Sequence, residues 1–213
     1  MRKLYIFDVC GTLYNVNTTF HFIREYHRNK HNFFKYVYVL FLSSIFGKLL
    51  NKFFRISVRT LIIRSLKNES VLDVDRYSHI FVCSYLQNKK NGYVFALFDT
   101  CVKNDAFNTL LASASIQPVV HAIASFYGVN YLATSLEIES GLYTGIVKHD
   151  LKGRKHEMID DLDIDLMVSD NRDDFDLGIR AKRYIIITKQ KNVCFWRTKI
   201  QNVNMGRIHI EII

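Results

Sequence analysis

The sequence predicts an α/β fold in which a parallel sheet is interrupted near its start by an α-helical insertion. Residues 3–8, KLYIFD, are a short run of aromatic and branched residues that is typical of a buried strand. From about residue 15 to residue 90 the pattern is helical. Within it, residues 33–66 repeat apolar residues every three or four positions with almost no turn formers. After Gly92, helix-like and strand-like segments alternate, which indicates a parallel sheet with helices on both faces.

The segments after Gly92 follow in a regular order. Helices are predicted at 93–103, 116–127 and 155–162. Strands are predicted at 107–112, 129–132, 166–168 and 183–188, with a hairpin-like excursion at 141–148 and a further strand at 193–196. We therefore predict an α/β core formed by residues 1–14 and 91–213, and a helical insertion formed by residues 15–90.

The composition excludes several classes of protein. Apolar residues make up 49% of the chain, which is enough for a buried core and excludes wholesale disorder. One proline and nine glycines exclude collagen-like and linker sequences. The four cysteines form no CxxC pair, which argues against a zinc site and a disulfide framework. The N-terminal apolar stretch is short and contains an aspartate, so a signal peptide is not expected and the predicted location is the cytoplasm.

The positive charge is concentrated in one block. Residues 20–67 contain ten Lys and Arg but one acid, Glu25, whereas bases and acids balance in the rest of the chain. Such a block suggests an anionic partner or substrate. Its longest uncharged stretch, residues 36–47, is too short to cross a bilayer. Four bases spaced by four, three and four residues predict one basic helical face: Lys48, Lys52, Arg55 and Arg59.

Three interpretations of this basic face remain open. A basic amphipathic helix can lie on an anionic membrane, which would place the protein peripherally at the inner membrane face. The same helix could instead pack its apolar side on neighbouring helices and leave a solvated basic face, or attract a soluble anionic substrate. Specific nucleic-acid binding is not expected, because no recognition motif accompanies the bases.

Polar side chains suited to phosphate chemistry occur where the predicted strands end. Asp8 follows the first strand, Ser113 follows the strand at 107–112, and Lys155 opens a helix. Asp170 and Asp174 follow the strand at 166–168. Strand ends meet at one edge of a parallel sheet, where ligand sites form. Carboxylates suit Mg²⁺, and one of them could attack phosphorus while the lysine neutralises charge and the serine holds an oxygen.

Each of these residues has a competing interpretation. Asp8 could cap a turn, and Ser113 could cap the helix that follows it. Lys152 competes with Lys155, and Asp173 competes with Asp174. The histidines are scattered along the chain and are expected to be surface or packing residues.

The ordered motifs resemble the haloacid dehalogenase (HAD) superfamily and its phosphoserine-phosphatase-like branch. The nucleophile motif hhhhDxDGT is similar to residues 6–12, IFDVCGT, and the serine motif to 111–115, LASAS. Residues 133–137 and 141–145 also resemble this branch, the family lysine falls on Lys155, and the acidic motif falls on 169–174, SDNRDD. The resemblance covers residues 1–14 and 92–188.

The resemblance implies a Rossmann-like core with an inserted cap and a Mg²⁺-dependent phosphatase that forms an aspartyl-phosphate on Asp8. Phosphoryl binding would involve four residues: Ser113, Lys155, Gly11 and Thr12. The metal ligands would be Asp8, the backbone carbonyl of Cys10, Asp170 and Asp174. The implied substrate is a phosphorylated small molecule or a lipid phosphate. The oligomeric state is not predicted.

One residue departs from the family pattern. The family's second aspartate acts as the general acid and base, and Cys10 occupies that position. A thiol is a poor substitute for a carboxylic acid, so hydrolysis of alkyl phosphates should be slow. The alternative is therefore a catalytically impaired protein that binds a phosphorylated or membrane partner. Dehalogenases of the superfamily also lack this aspartate, and Ser169 and Asn171 resemble theirs, but the retained Asp170 favours a metal.

Overall fold

The computed structural model describes residues 3–54, 57–104, 107–159, 163–201, 203 and 205–213. The strands are β1 (Lys3–Phe7), β2 (Phe107–Ile116), β3 (Asn130–Glu139), β4 (Leu142–His149), β5 (Ile164–Ser169), β6 (Arg183–Thr188) and β7 (Ile208–Ile212). The first helices are α1 (Thr18–Asn29), α2 (Phe33–Ser43), α3 (Ile45–Phe54), α4 (Val58–Arg64) and α5 (Val71–Ser84). The later helices are α6 (Gly92–Val102), α7 (Gln117–Tyr127), α8 (Lys155–Ile159), α9 (Phe175–Gly178) and α10 (Val193–Ile200).

The strands form one seven-stranded sheet in the order β4-β3-β2-β1-β5-β6-β7. Strand β1 lies near the middle and pairs in parallel with β2 and β5. Only the β3–β4 hairpin is antiparallel among the described strands. The chain therefore leaves β1 toward β2 on one side and reaches β5 on the other. The carboxyl end of β1 lies at this switch point, where a crevice opens between the two directions of crossover.

The predicted α/β class and the inserted helices are confirmed. Strands β1 and β6 agree with the predicted segments to within one residue, and the excursion at 141–148 is the second strand of a hairpin. The strand expected at 193–196 is wrong, because α10 covers it. Val193, Trp196 and Ile200 are its buried residues, a helical spacing that a run of four apolar residues cannot reveal alone. Strand β7 was not predicted.

The uninterrupted helical pattern of residues 33–66 is divided into three helices. Ser44 ends α2 in an extended conformation, and Ser57 begins α4 by accepting a hydrogen bond from the Thr60 N–H. The α2–α3 turn is tight, because a Cβ at Gly47 would lie 1.7 Å from the Leu42 carbonyl oxygen. The basic face predicted for a single helix is therefore wrong: Lys48 and Lys52 belong to α3, Arg59 belongs to α4, and Arg55 lies outside the described residues.

Two clusters of buried apolar residues lie on the two faces of the sheet. One is centred on Ile6, Met167 and Trp196. The other begins at Phe7 on the opposite face of β1 and continues without interruption into the inserted helices, where Phe22 is fully buried. Side chains alternate between the faces of a strand, so neighbouring residues of β1 serve different clusters. The cap boundaries at residues 15 and 90 stay a prediction.

The β3–β4 hairpin holds the insertion at the edge of the sheet. The backbone N–H of Asn68 donates to the Tyr143 carbonyl oxygen at 2.8 Å, and the Tyr143 N–H donates to Glu69 at 3.0 Å. Val71 donates in the same way to Gly141. Helices α1–α4 are thereby placed above the carboxyl ends of β1 and β2, where the polar residues singled out in the sequence lie.

Candidate active site

Asp8 lies at the carboxyl end of β1 and is almost completely buried, with 4% of its surface exposed. Its backbone N–H donates to the Val168 carbonyl oxygen at 2.9 Å, which continues the pairing with β5. Its Oδ1 accepts a hydrogen bond from the Val9 N–H at 2.7 Å and lies 3.2 Å from the Lys155 Nζ. Burial raises the pKa of this carboxyl, against the attraction of Lys155.

Lys155 is a buried ammonium between two carboxylates. Its Nζ lies 2.7 Å from the Asp174 Oδ2, and that oxygen also accepts a hydrogen bond from the Ser169 hydroxyl. Burial disfavours the ammonium, but Asp8 and Asp174 outweigh this effect and raise the pKa of Lys155. Lys155 is the first residue of helix α8, so the start of this helix positions its side chain. Lys155 therefore stays charged beside Asp8.

Asp170 follows β5 and faces Asp8 across the crevice. Its Oδ1 accepts a hydrogen bond from the Thr12 hydroxyl at 3.1 Å, and its own N–H donates to that hydroxyl at 2.9 Å. Burial, and then the charge of Asp8, raise the pKa of Asp170 to about 7. Gly11 makes the approach possible: its φ is +74°, and a Cβ there would lie 2.2 Å from the Asp170 Oδ2.

Ser113 and Cys10 complete the floor of the crevice. Ser113 is fully buried within β2 and hydrogen-bonds to Asp8. The Cys10 Sγ lies 2.8 Å from the Thr18 hydroxyl, which in turn lies 2.8 Å from the Ser115 hydroxyl. Burial, followed by the charge of Asp8, raises the pKa of the Cys10 thiol. The thiol is therefore neutral at physiological pH and bonded to the first cap helix.

A cavity of about 620 Å³ lies above these residues, between the sheet and the cap. Its floor includes Asp8, Cys10, Ser113 and Asp170, and its roof includes the α2–α3 turn and the start of α4. Basic side chains also line it: Arg59, Lys152 and Arg172. An enclosed space with carboxylates below and basic groups around it suits a small anionic ligand.

Arg59 is a residue whose position the sequence analysis did not anticipate. Its guanidinium lies 2.6 Å from an Asp150 carboxylate oxygen and donates to the Ala114 carbonyl oxygen at 2.8 Å and to the Thr134 hydroxyl at 3.1 Å. It therefore connects α4 to the core beside the cavity. Its proximity to Asp150 is long-range, and no local pattern could have indicated it.

The two competing pairs of residues occupy different environments. Lys152 is exposed at the cavity wall, whereas Lys155 contacts Asp8 and Asp174. Asp173 is exposed, and its backbone N–H donates to the Asn171 side chain. Among the residues considered in each pair, only Lys155 and Asp174 enter the buried charge cluster.

The charge of this cluster fits a divalent cation. Asp8 and Asp174 are buried and share one buried ammonium, and the partly buried Asp170 lies beside them, so the cluster carries an excess of negative charge. The raised pKa values of Asp8 and Asp170 reflect the same excess. The Asp174 Oδ1 is buried and has no hydrogen-bond partner among the described residues. Carboxylate oxygens in this number are the ligands that Mg²⁺ prefers.

No family model and no curated protein matches this chain. Solved structures do match it. A protein of unknown function from Bordetella pertussis Tohama I is 16% identical with a TM-score of 0.76, and the match covers 100% of both chains. A phospho-aspartyl intermediate analogue of phosphoserine phosphatase is 17% identical with a TM-score of 0.55, covering 87% of this chain and 86% of that one.

A HAD family hydrolase from Salmonella enterica serovar Typhi is 15% identical with a TM-score of 0.62, and the match covers 92% of this chain and 65% of that chain. The chain has the HAD fold. Several of the solved structures that share this fold are phosphoserine phosphatases, the branch that the ordered motifs resemble. In this HAD fold Asp8 and Asp170 end the two central parallel strands, and the helices after β1 cover the crevice between them.

Proposed function

We propose that this protein is a Mg²⁺-dependent phosphomonoester hydrolase that uses Asp8 as its nucleophile. The observation that carries the proposal is the placement of Asp8: its carboxylate lies at the cavity floor, 3.2 Å from a buried ammonium, with Asp170 opposite. The phosphatases among the neighbours of similar fold support the same reaction class.

The reaction follows from these positions. An Asp8 carboxylate oxygen attacks phosphorus, the P–O bond to the leaving group breaks, and an aspartyl-phosphate forms. Lys155 and Ser113 balance and hold the negative phosphoryl oxygens at the cavity floor. Water then attacks the phosphorus and breaks its bond to Asp8, which releases phosphate and restores the carboxylate. Asp8, the Cys10 carbonyl, Asp170 and Asp174 would hold Mg²⁺, which neutralises phosphoryl charge when bound.

Asp174 also positions Lys155. Its Oδ2 accepts from both Lys155 and Ser169, so the carboxylate fixes the ammonium against Asp8. The exposed Arg172 and Lys152 at the cavity wall would attract the anionic substrate, and Arg59 would close the wall between cap and core.

The test compares the wild type with Asp8→Asn in the hydrolysis of p-nitrophenyl phosphate with Mg²⁺. We expect turnover to fall by at least about 10³-fold, because the amide cannot attack phosphorus. Asp173→Asn is the matched control, since Asp173 also lines the cavity but is exposed, and it should change turnover only a few-fold. Equal turnover by the wild type and Asp8→Asn would contradict the proposal.

Cys10 favours a second function, that of a catalytically impaired protein that binds a phosphorylated partner. A half-buried neutral thiol bonded to Thr18 is badly suited to protonate a leaving oxygen or to activate water. Aryl phosphates do not need that proton, because their leaving groups are good. Binding of inorganic phosphate with Mg²⁺, seen as a raised melting temperature without any Asp8-dependent turnover, would support this second function.

Cys10→Asp separates the two functions. If only the acid–base step is deficient, this variant should raise turnover of an alkyl phosphate far more than that of p-nitrophenyl phosphate. Cys10→Ser, which restores no titratable carboxyl, is the matched control and should leave the ratio of the two rates unchanged. An equal gain on both substrates would contradict the role assigned to this position.

A further inference from the structure

The outer side of the cap exposes a continuous row of large apolar side chains. We name it the α2–α3 surface, and its members are 37% to 85% exposed: Phe33, Phe34, Val37, Tyr38, Leu40 and Phe41 of α2, with Ile45, Phe46, Leu49 and Phe53 of α3. Of the eleven residues of α2, only Val39 and Leu42 are buried. Apolar patches of this extent on a soluble chain mark a surface that meets a partner.

The aromatic content of this surface is high. The rings of Phe41 and Phe46 stack with their centroids 5.6 Å apart, and those of Phe33 and Phe34 meet edge to face at 6.1 Å. Because the side chains pack on one another across the outside of two helices, they present one broad apolar face. Helix α2 thus packs on the rest of the protein through a narrow face, and most of its surface is exposed to solvent.

The charge around this surface selects one type of partner. No acidic residue occurs between Glu25 and Glu69, a segment that includes all of α2 and α3. The sequence of α3 contributes Lys48 and Lys52, and Arg64 and Lys67 are exposed at the end of α4. Lys35 of α2 pairs with Glu69 at 2.5 Å, but neither α2 nor α3 contains an acid of its own. Aromatic and aliphatic side chains interleaved with an excess of bases complement an anionic lipid surface.

A second copy of the chain fits the same surface badly. A twofold dimer would bring this surface against itself, so the bases of one copy would face the bases of the other. Like charges facing each other across an interface oppose association. In a dimer, this repulsion would therefore offset the favourable apolar contact. On a membrane, anionic lipid headgroups would instead attract the same bases.

The helices are of a length that suits lying in an interface. An eleven-residue helix is about 16 Å long, roughly half the thickness of a bilayer's hydrocarbon core. Among the described helices, none combines the length and the apolar character needed to cross a membrane. Binding by this surface would bury one side of two short helices at the headgroup boundary.

We infer that the α2–α3 surface docks the protein on an anionic membrane. The turn between α2 and α3 links this surface to the cavity, because Leu42, Ser44 and Gly47 line the cavity roof while Phe41 and Ile45 beside them face outward. Docking therefore places the cavity directly behind the membrane contact. A consequence, which rests on the proposed function, is that the hydrolysed phosphomonoester is carried by the membrane.

The test measures co-sedimentation of the Asp8→Asn protein with vesicles, so the result does not depend on turnover. Vesicles are made of phosphatidylcholine alone or of an equimolar mixture with anionic phosphatidylglycerol. We expect binding to the mixed vesicles and much weaker binding to neutral ones. Adding Phe34→Ser with Ile45→Ser should weaken binding at least about tenfold, because two apolar side chains would no longer be buried in the membrane interface.

Two further variants make the test specific. Lys52→Glu should weaken binding to the mixed vesicles several-fold and reduce its salt dependence, since a base that attracts anionic headgroups is replaced by an acid that they repel. Leu72→Ser is the matched control, because Leu72 is 77% exposed on α5 and lies outside the α2–α3 surface, and it should bind like its parent. Phe34, Ile45 and Leu72 are exposed, so their substitution should leave the melting temperature unchanged, and that measurement verifies that each variant folds.

Three outcomes would overturn the docking inference. They are equal binding to neutral and anionic vesicles, unchanged binding by the Phe34 and Ile45 variant, and self-association that the same variant abolishes, which would make a second copy the partner. Hydrolysis of soluble p-nitrophenyl phosphate by the otherwise wild-type chain is measured separately. Vesicle binding without Asp8-dependent hydrolysis would uphold docking and refute the proposed function, whereas hydrolysis without vesicle binding would do the reverse.

Discussion

The candidate site and the α2–α3 surface both depart from the usual rule that charged side chains are exposed and apolar side chains are buried, each in a different way. The site buries two carboxylates and an ammonium, with the partly buried Asp170 beside them, while the α2–α3 surface leaves ten large apolar side chains in water. Ionised groups are rarely buried without partners, and large contiguous apolar patches are rarely exposed. Both arrangements cost stability in the isolated chain. The comparison is consistent with both proposals, in which each region is organised around a ligand: a cation and a phosphoryl group inside, and a membrane outside.

The largest effect is expected from breaking the buried charge cluster. Lys155→Met removes the ammonium that Asp8 and Asp174 share, so the free energy of unfolding in the presence of EDTA should fall by about 3 kcal/mol at pH 7.5. Lys182→Met is the matched control: Lys182 also pairs with two aspartates but is 55% exposed, so its loss should cost much less than the loss of Lys155. Urea unfolding measures both. Equal losses would mean that burial adds nothing to the Lys155 pairs.

A smaller effect should follow from filling the space beside Asp170. Gly11→Ala puts a Cβ 2.2 Å from an Asp170 oxygen at a φ of +74°, and should destabilise the protein by about 3 kcal/mol or less and lower phosphatase turnover. Gly141→Ala has nearly the same strain, at a φ of +80°, but nothing within 4 Å, so it should cost only about 1 kcal/mol. The difference between the two melting temperatures isolates the close contact. Identical costs would show that Asp170 moves away freely.

His27 extends the comparison to an uncharged buried group in the cap. Burial, and then the charge of Lys35, lower its pKa from 6.5 to about 4, and its Nε2 lies 3.0 Å from the Ser65 hydroxyl. As the pH falls, His27 is therefore protonated at a higher pH in the unfolded chain than in the folded protein. Stability from neutral His27 is complete above pH 6.5 and decreases as the pH falls toward 4, by at most about 1.4 kcal/mol per pH unit.

His27→Gln should reduce this loss of stability between pH 7 and pH 5, as measured by urea unfolding at each pH. The amide retains a hydrogen-bonding group for Ser65 but takes up no proton in this range. His149→Gln, at an exposed position, provides the baseline and should leave the pH dependence as in the wild type. The same pH dependence in all three proteins would locate the acid sensitivity elsewhere.

The smallest effect is expected on the α2–α3 surface. Phe34 is 85% exposed, so Phe34→Ala should change the free energy of unfolding by no more than about 0.5 kcal/mol. Phe22 is fully buried, and Phe22→Ala should cost about 3 to 5 kcal/mol. A large loss of stability in Phe34→Ala would mean that this surface is held by intramolecular packing and is not free to meet a membrane.

The sequence contained the order of the core elements because their signals are local. The apolar run of β1, the glycine after it and the alternation beyond Gly92 each belong to a few neighbouring residues. The divisions at Ser44 and Ser57 were hidden, since apolar spacing continues through both turns. Residues 193–196 were misassigned because their burial depends on which side of the sheet they cover.

The candidate site follows the same distinction. Asp8 and Asp170 could be found because strand ends of a parallel sheet converge. Arg59 could not, because its position depends on the path of α4 and on Asp150, which is 91 residues away. A periodic spacing assigns residues to one helical face only when they belong to one continuous helix. Lys52 and Arg59 belong to different helices, α3 (Ile45–Phe54) and α4 (Val58–Arg64), so their spacing did not place them on one face.

The apolar cluster that extends from β1 into the cap bears on how the molecule unfolds. Because Phe7 of the sheet and Phe22 of α1 belong to one buried cluster, neither region can lose its structure while the other keeps a dry interior. Cooperative loss of both in a single transition is the expected behaviour of such a shared interior. Caps of this kind are not interchangeable modules, and any exchange between relatives must carry the facing side of the sheet with it.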